Sequence, residues 1–389
     1  MRRPLRVLLL THNCAGYGGS YIRSFSLARQ LAALGQQVTL MAAPAVPRPT
    51  FQISNLAGVR LIQPPDLLAH RLRHGGLSPL ELAGRLALVA RERFDIVHGF
   101  DHRPSVSLPA LAAQRCGARF VSDWADLWGL EGIASTRPAA ARWSLGLLDD
   151  LAERLLRRYA DGATVASSYL GLLLNGHGPA PAHTLLLPPG ANHDQIVPMP
   201  QQAMRVRHGL PPHGPVVVSI GYSHYDSALL VATLERLNQR MAGLLLLTTG
   251  FMPPWLLGRL RAVGQLRHMG QLAYAQLGEI LACGDLMLLP YTSHPLNWGR
   301  FPSRVGDYLA AGRPIVTNPT ADLGRLVRDE QVGLATAEQP EAMADAVCSL
   351  IERPELGREL GARGRQLAET RLAWRTLAAQ VAELYSALV

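Results

Sequence analysis

At 389 residues the chain is too long for one ordinary hydrophobic core and long enough for two domains of about 150 to 200 residues. With 48% hydrophobic and 17% charged residues it is neither disordered nor fibrous. All 38 positive side chains are arginine, against 29 acidic ones, and the excess is uneven: residues 1–195 carry a net +7 and residues 196–389 a net +2.

The basic first half, with segments such as "HRLRHGG" at residues 70–76, suits an anionic partner. A membrane surface or a phosphorylated substrate fits better than nucleic acid; the plainer reading is a solvated arginine-rich surface. Cys14, Cys116, Cys283 and Cys348 have no paired spacing, which argues against a disulfide framework or a metal cage and fits a reducing cytoplasm.

The opening "MRRPLRVLLLTHNC" imitates a secretory leader, but its apolar run stops at Thr11 and His12, so it reads as a first strand. Short aliphatic runs then alternate with longer amphipathic ones, the pattern of parallel sheets covered by helices. In the first half the strands are expected at "RVLLLT", "QVTLMAA", "VRLIQ", "DIVHGF", "ARFVSDW", "ATVAS" and "HTLLLPP". The turn after the first strand, "HNCAGYGGSY", carries Gly16, Gly18 and Gly19. A dinucleotide fingerprint needs glycine where Tyr21 stands, and the second strand ends in "MAAP" with no acid for a ribose, so the turn does not read as an NAD site. Its glycines still let the backbone approach a ligand, with the N-terminus of the following helix aimed at it; the alternative is a plain tight turn.

His98 and His102, in "VHGFDH", are four apart but follow a strand, and no HExxH accompanies them, so they do not read as a metal pair. Asp-x-Asp, a common means of holding a metal-chelated nucleotide sugar, is also missing. "SDWADLWG" places Asp123 and Asp126 beside Trp124 and Trp128 at a strand's C-terminal end, where open α/β sheets bind ligands. Indoles next to carboxylates suit a sugar ring, offering an apolar face and hydroxyl acceptors together; otherwise the tryptophans cap a core and the acids are incidental.

The proline- and glycine-rich stretch at residues 188–215 lacks periodicity and reads as the linker. Beyond it strands are expected at "PVVVSIG", "GLLLLTT", "LRHMG", "LMLLPY", "RPIVTN" and "VGLAT". "MAGLLLLTTGFMPPWLLG" is broken by Pro253 and Pro254 and is rejected as a membrane span. In "FPSRVGDYLAAGRP" Pro302 suits a first helical turn and Gly312 a C-terminal cap, giving a helix of about ten residues. Arg300, Arg304 and Asp307 then lie close to one face, provided the first turn reaches back to Arg300. They meet a nucleotide there, or Arg304 and Asp307 simply pair within the helix. Three helices close the chain, the last able to pack back on the first domain.

Several of these features together resemble glycosyltransferase family 4, retaining enzymes of the GT-B fold, over nearly the whole chain. They are the two similar halves, the early glycine turn, "LPPGANHD", "VSIGY", and "PSRVGDYLAAGRPIV" followed by a returning helix. "DWADLWG" is similar to a subset acting on lipid-linked or polysaccharide acceptors. The departures are specific. The family's paired glutamates fall on Gly299 and Asp307, so the first acid is missing; "GYSHYD", residues 221–226, stands where many relatives hold the diphosphate with Arg and Lys; and the second histidine of His-x-His falls on Phe100, with His102 two residues on.

The resemblance implies two doubly wound Rossmann-like domains facing across a cleft: an acceptor domain over 1–195, a donor domain over 196–370, and a C-terminal helix over 371–389 returning to the first. It implies a metal-independent, retaining transfer from a nucleoside-diphosphate sugar, used as substrate with no cofactor, to a glycan or lipid-linked acceptor; the cysteine usage and charge balance add the expectation of a cytoplasmic protein at an anionic membrane surface. Donor-site candidates are Gly18, Gly19, Gly221, Tyr222, Ser303, Arg304 and Asp307; catalytic candidates are His102, Asp126 and Asp123. A nucleotide-sugar epimerase or hydrolase, or a catalytically silent sugar-binding subunit, remains the alternative.

Overall fold

The computed structural model describes residues 3–68, 75–176 and 181–389; most of the basic segment at 70–76 lies outside the described residues. The chain forms two units: Met1–Pro189 with Gly299–Phe301 and Trp374–Val389, and Gly190–Trp298 with Pro302–Ala373. Each is a doubly wound α/β unit built on its own sheet.

In the first unit the strands are β1 (Arg6–Cys14), β2 (Gln37–Ala43), β3 (Gln52–Leu56), β4 (Val59–Gln63), β5 (Ile96–Phe100), β6 (Arg119–Trp124), β7 (Gly162–Val165) and β8 (His183–Leu186). They lie in the order β3-β4-β2-β1-β5-β6-β7-β8, parallel except for the β3–β4 hairpin. Every aliphatic run expected as a strand is one. The strand that sequence reasoning missed is β3, an edge strand exposed along most of its length, joined to β4 by a tight turn with positive φ at Ala57 and Gly58.

Alternation along β1 sorts the core into two layers. Val7 and Leu9 face the helices Gly19–Ala33 and Trp374–Leu388, the latter contributing Trp374, Leu377, Val381 and Tyr385. Leu8 and Leu10 face the other way, with Val97, Val106 and Ala110. The Tyr385 hydroxyl lies 2.7 Å from His98 Nδ1, fastening the last helix to β5.

The second sheet has β9 (Val216–Ile220), β10 (Leu245–Thr249), β11 (Gln265–His268), β12 (Leu286–Leu289), β13 (Ile315–Thr317) and β14 (Gly333–Ala335), in the order β11-β10-β9-β12-β13-β14, all parallel. The stretch expected to be an aperiodic linker instead holds the helix Gln201–Arg207. The helix is pinned by Arg205, which donates to the Cys283 and Gly214 carbonyls and pairs with Asp285. Proline and glycine around it hid a helix too short to show a period.

In each sheet the chain order reverses beside the central strand, between β1 and β5 and between β9 and β12, and crevices at the C-terminal ends of such strands are where α/β sheets bind ligands. Both candidate sites lie there.

Candidate active sites

In the first unit β1 runs out into His12 and Asn13. Asn13 Oδ1 accepts from the Ser20 and Tyr21 amides at 3.0 and 3.4 Å, closing the N-terminus of the helix Gly19–Ala33, while its amide nitrogen lies 2.8 Å from His12 Nε2. Gly18 has φ +94, which a side chain adopts only under strain; a Cβ on Gly19 would meet open space. His12, Asn13, Gly19 and Ser20 border an open cavity whose other walls include Arg103, Asp126 and Trp128.

Behind that wall lies a buried charge cluster. Asp101, just past β5, holds φ +94, a strained value for a residue with a side chain. Its carboxylate receives the His102 amide at 2.6 Å, His102 Nδ1 at 2.8 Å and, more loosely, His12 Nδ1 at 3.6 Å. Burial alone would raise the Asp101 carboxyl, but the His102, His12 and Arg103 charges hold it well below the usual range. The second nitrogen of His102 lies 3.3 Å from Asp149 Oδ1. Burial disfavours its charge, yet Asp101, Asp149 and Glu153 outweigh it and raise its pKa, which favours the protonated form of a ring held between two carboxylates. Asp149 also takes Arg103 at 2.7 Å and Arg137 at 2.8 Å. Arg103 thereby stacks over the Trp128 ring, 4.3 Å from its centroid.

Glu153 fixes the loop that carries Trp128. It accepts from the Trp124 indole at 2.6 Å and from the Trp128 and Gly129 amides near 3 Å. Asp126, on the same loop, borders the cavity and is partly buried. Burial pushes its carboxyl up to about 6, with the Asp101 and Glu153 charges adding to the rise and Arg300 and Arg23 opposing it.

Asp123 is 1% exposed, and both its oxygens are taken: Arg23 grips it with Nε and Nη2 at 3.0 and 2.8 Å, and Thr164 donates at 2.5 Å. His98 is likewise enclosed, between Tyr385 and Thr164, and burial lowers its pKa to about 4, so it is neutral.

In the second unit the turn after β9 reads Gly221-Tyr222-Ser223. Gly221 has φ +69, and the Arg304 guanidinium lies 3.5 Å from where its Cβ would stand. Arg304 donates to the Ile220 carbonyl. Together with Gly221, Tyr222 and Ser223 it lines a small crevice at the ends of β9 and β12. Asp226 sits at the crevice floor. Thr292 N, Thr292 Oγ1 and Asn297 Nδ2 donate to one of its oxygens at 2.8 to 2.9 Å, and Ser223 donates to the other, so the carboxylate is fixed by hydrogen bonds.

The helix bearing Arg304 and Asp307 is Arg304–Ala310, seven residues rather than ten, with Ser303 at its N-cap and Gly312 at φ +67 just beyond its end. Its first turn does not reach Arg300, which belongs to the first unit, so the expected three-residue face is not formed. Within the helix Asp307 pairs with Tyr274 rather than with Arg304: its Oδ1 accepts from the Tyr274 hydroxyl at 2.5 Å, and that hydroxyl accepts from Asn192 at 2.9 Å. Gly306 permits the close packing here, because a Cβ would stand 2.7 Å from the Gly190 carbonyl oxygen.

Residues 18–190 match the "Glycosyl transferase 4-like domain" family and residues 214–353 the "Glycosyl transferases group 1" family. The chain belongs to this glycosyltransferase family. It is 28% identical over 186 residues to the glycogen synthase of Mycobacterium tuberculosis, covering 46% of this chain and 44% of that protein, so the match spans less than half that relative's length. The GDP-mannose-dependent alpha-(1-6)-phosphatidylinositol monomannoside mannosyltransferase of the same organism is 28% identical over 271 residues, 64% of this chain and 68% of that one. Sucrose-phosphate synthase from Thermosynechococcus elongatus shares the GT-B fold, with a TM-score of 0.79, 19% identity, and 100% and 99% of the two chains covered.

The candidate residues of this glycosyltransferase divide by location. Gly19 and Asp126 border the first cavity, with Gly18 in the turn beside it; Gly221, Tyr222 and Arg304 line the second crevice, and Ser303 precedes Arg304. His102 and Asp123 are not among the residues lining these two cavities: one is held between carboxylates and the other against Arg23. The imidazole bordering the cavity is His12. Sequence reasoning missed His12, Arg23, Asp149 and Glu153. The first was hidden in a strand's end, and the others stand far from their partners in sequence. Among the described residues no group of three or more His, Cys, Asp or Glu is placed to hold a metal ion.

Proposed function

We propose that the chain transfers a sugar from a nucleoside-diphosphate sugar to a hydroxyl of a glycan or lipid-linked acceptor, with retention and without a metal. The observation that carries this reading is the first unit's cavity, where Asp126, His12 and the Arg103-backed face of Trp128 are assembled on fixed supports. A sugar ring stacks on the indole while its hydroxyls meet the carboxylate and the imidazole. With a pKa of about 6, Asp126 is mostly ionised at neutral pH and accepts a hydrogen bond from the acceptor hydroxyl.

The donor belongs to the second unit. Arg304, beside the open Gly221 turn, supplies positive charge to the departing diphosphate, and preorganised charge of this kind lowers the barrier without a metal. Asp307, already oriented by Tyr274, is the acceptor for ribose hydroxyls. His102 and Asp123 act through others: His102 aligns the acids behind Arg103 and His12, and Asp123 anchors Arg23.

One observation favours a second reading, binding without turnover: the turn after β9 carries the acid Asp226 where a diphosphate site calls for bases. Incubating the protein with UDP-, GDP- and ADP-sugars, with and without glycan acceptors, and analysing the products by mass spectrometry separates the readings. Acceptor-dependent glycoside formation supports transfer. Donor consumption that ignores the acceptor indicates a hydrolase or epimerase, and a thermal shift with no product indicates a silent subunit.

A further inference from the structure

The segment 139–159 of the first unit is an unbroken series of helical turns, Ala139–Ala141, Arg142–Gly146, Leu147–Leu156 and Arg157–Tyr159, the second of them a π-turn. Its polarity is inverted relative to an ordinary surface helix. Its acids Asp149 and Glu153 are 6% and 2% exposed and face the cavity wall, whereas Trp143, Leu147, Leu148, Leu151, Leu155 and Tyr159 are between 43% and 64% exposed. An apolar stripe of this length on a solvent face marks a surface that something covers.

The charges around the stripe say what. Asp150 is half-buried and paired with Arg154, and the exposed charged residues of the segment are Arg154 and Arg158; the Arg142 guanidinium lies over the Trp143 ring at 5.6 Å. A second copy of the same face would set arginine against arginine with no exposed acid of the segment between them. An anionic bilayer answers both features. Leucines enter the acyl boundary, arginines meet the headgroups, and Trp143 and Tyr159 stand at the two ends as amphipathic rings do at an interface.

We propose that residues 139–159 form a docking face that lies in the interfacial plane of an anionic lipid bilayer. The face is independent of the transfer reaction, but the same helix holds Arg103 through Asp149 and Trp128 through Glu153, so a docked helix sets the acceptor cavity one helix thickness from the lipid.

The test uses the full chain and vesicles of phosphatidylcholine with and without phosphatidylglycerol. Wild-type protein should co-sediment with the anionic vesicles, and the binding should weaken with added salt. Brominated lipids should quench an emission component that the Trp143→Phe variant lacks. The Leu148→Glu, Leu151→Glu double variant, altered at exposed positions, should bind roughly tenfold or more weakly while melting like wild type. The proposal is overturned if wild type ignores anionic vesicles, if it binds neutral vesicles equally well, if Trp143 is not quenched, or if the double variant binds unchanged. A vesicle-free dimer that the double variant dissociates would assign the face to a second copy instead. None of these readouts depends on sugar transfer.

Discussion

The Tyr274 hydroxyl donates to Asp307 Oδ1 at 2.5 Å, and this bond governs a carboxyl poised near neutrality. Burial drives Asp307 up to about 7, while the tyrosine's hydrogen bond favours the ionised form and limits the rise.

Ribose hydroxyls donate to a carboxylate, so nucleoside-diphosphate affinity should increase as pH climbs through about 7 and level off above it. Tyr274→Phe removes the restraining bond and should move that transition upward. Stability runs the other way. The folded-state pKa lies above the unfolded value of about 3.9, so the group's contribution is full below about pH 4 and is lost as pH rises through about 7. Asp307→Asn should therefore gain in stability relative to wild type over that window. Calorimetric titrations and thermal melts across the range check both, and a flat affinity profile in wild type would remove Asp307 from the nucleotide site.

Arg304→Ala should weaken nucleoside-diphosphate binding by about 1 to 3 kcal/mol, the cost of losing a charged hydrogen bond. The apo protein should melt close to wild type, because the side chain is only partly buried. Unchanged affinity would show that the crevice beside Gly221 is not where the diphosphate sits.

Asp126→Asn should lower turnover far more than donor affinity, since this carboxyl borders the first unit's cavity and the donor is proposed to bind the second unit. The loss should reproduce, over the accessible range, the fall in wild-type activity as pH drops through about 6. Steady-state kinetics with the acceptor varied at saturating donor separate this from a donor defect.

His102→Ala and Asp123→Ala should behave as folding variants. Each strips the partner from buried opposite charge, Asp101 and Asp149 in one case and Arg23 in the other, a change that costs about 3 to 5 kcal/mol. Differential scanning calorimetry reads the loss. A His102→Ala protein that melts like wild type yet turns over slowly would restore the direct catalytic role expected from the sequence.

The fold was legible because aliphatic runs in parallel strands buried on both faces are continuous; β3, half solvated on an edge, offers no such run. The walls of the two candidate sites were legible where chemistry and backbone coincide in one short stretch, as with Asp126 and Trp128, or Gly221 and Tyr222. They were not legible where a residue acts through a partner far along the chain. Nothing near Glu153 in sequence announces that it ties down Trp128, and nothing near Asp307 announces Tyr274, because those pairings exist only once strands from separate stretches are adjacent. His102 shows the same limit. Its position after β5 can be read from the sequence, but its contact with Asp149, 47 residues on, cannot.

Tyr385 and its helix close the first sheet, whose central strand is the first to be made. The order of synthesis and the order of assembly therefore differ. While the ribosome builds the second unit, Val7, Leu9 and His98 wait on a sheet face that the helix Gly19–Ala33 covers but the last helix does not yet, and the second unit's residues are made before the first unit can finish. A nascent chain arrested ahead of Trp374 carries that half-covered apolar surface, and it is there that holdase chaperones would have their longest opportunity.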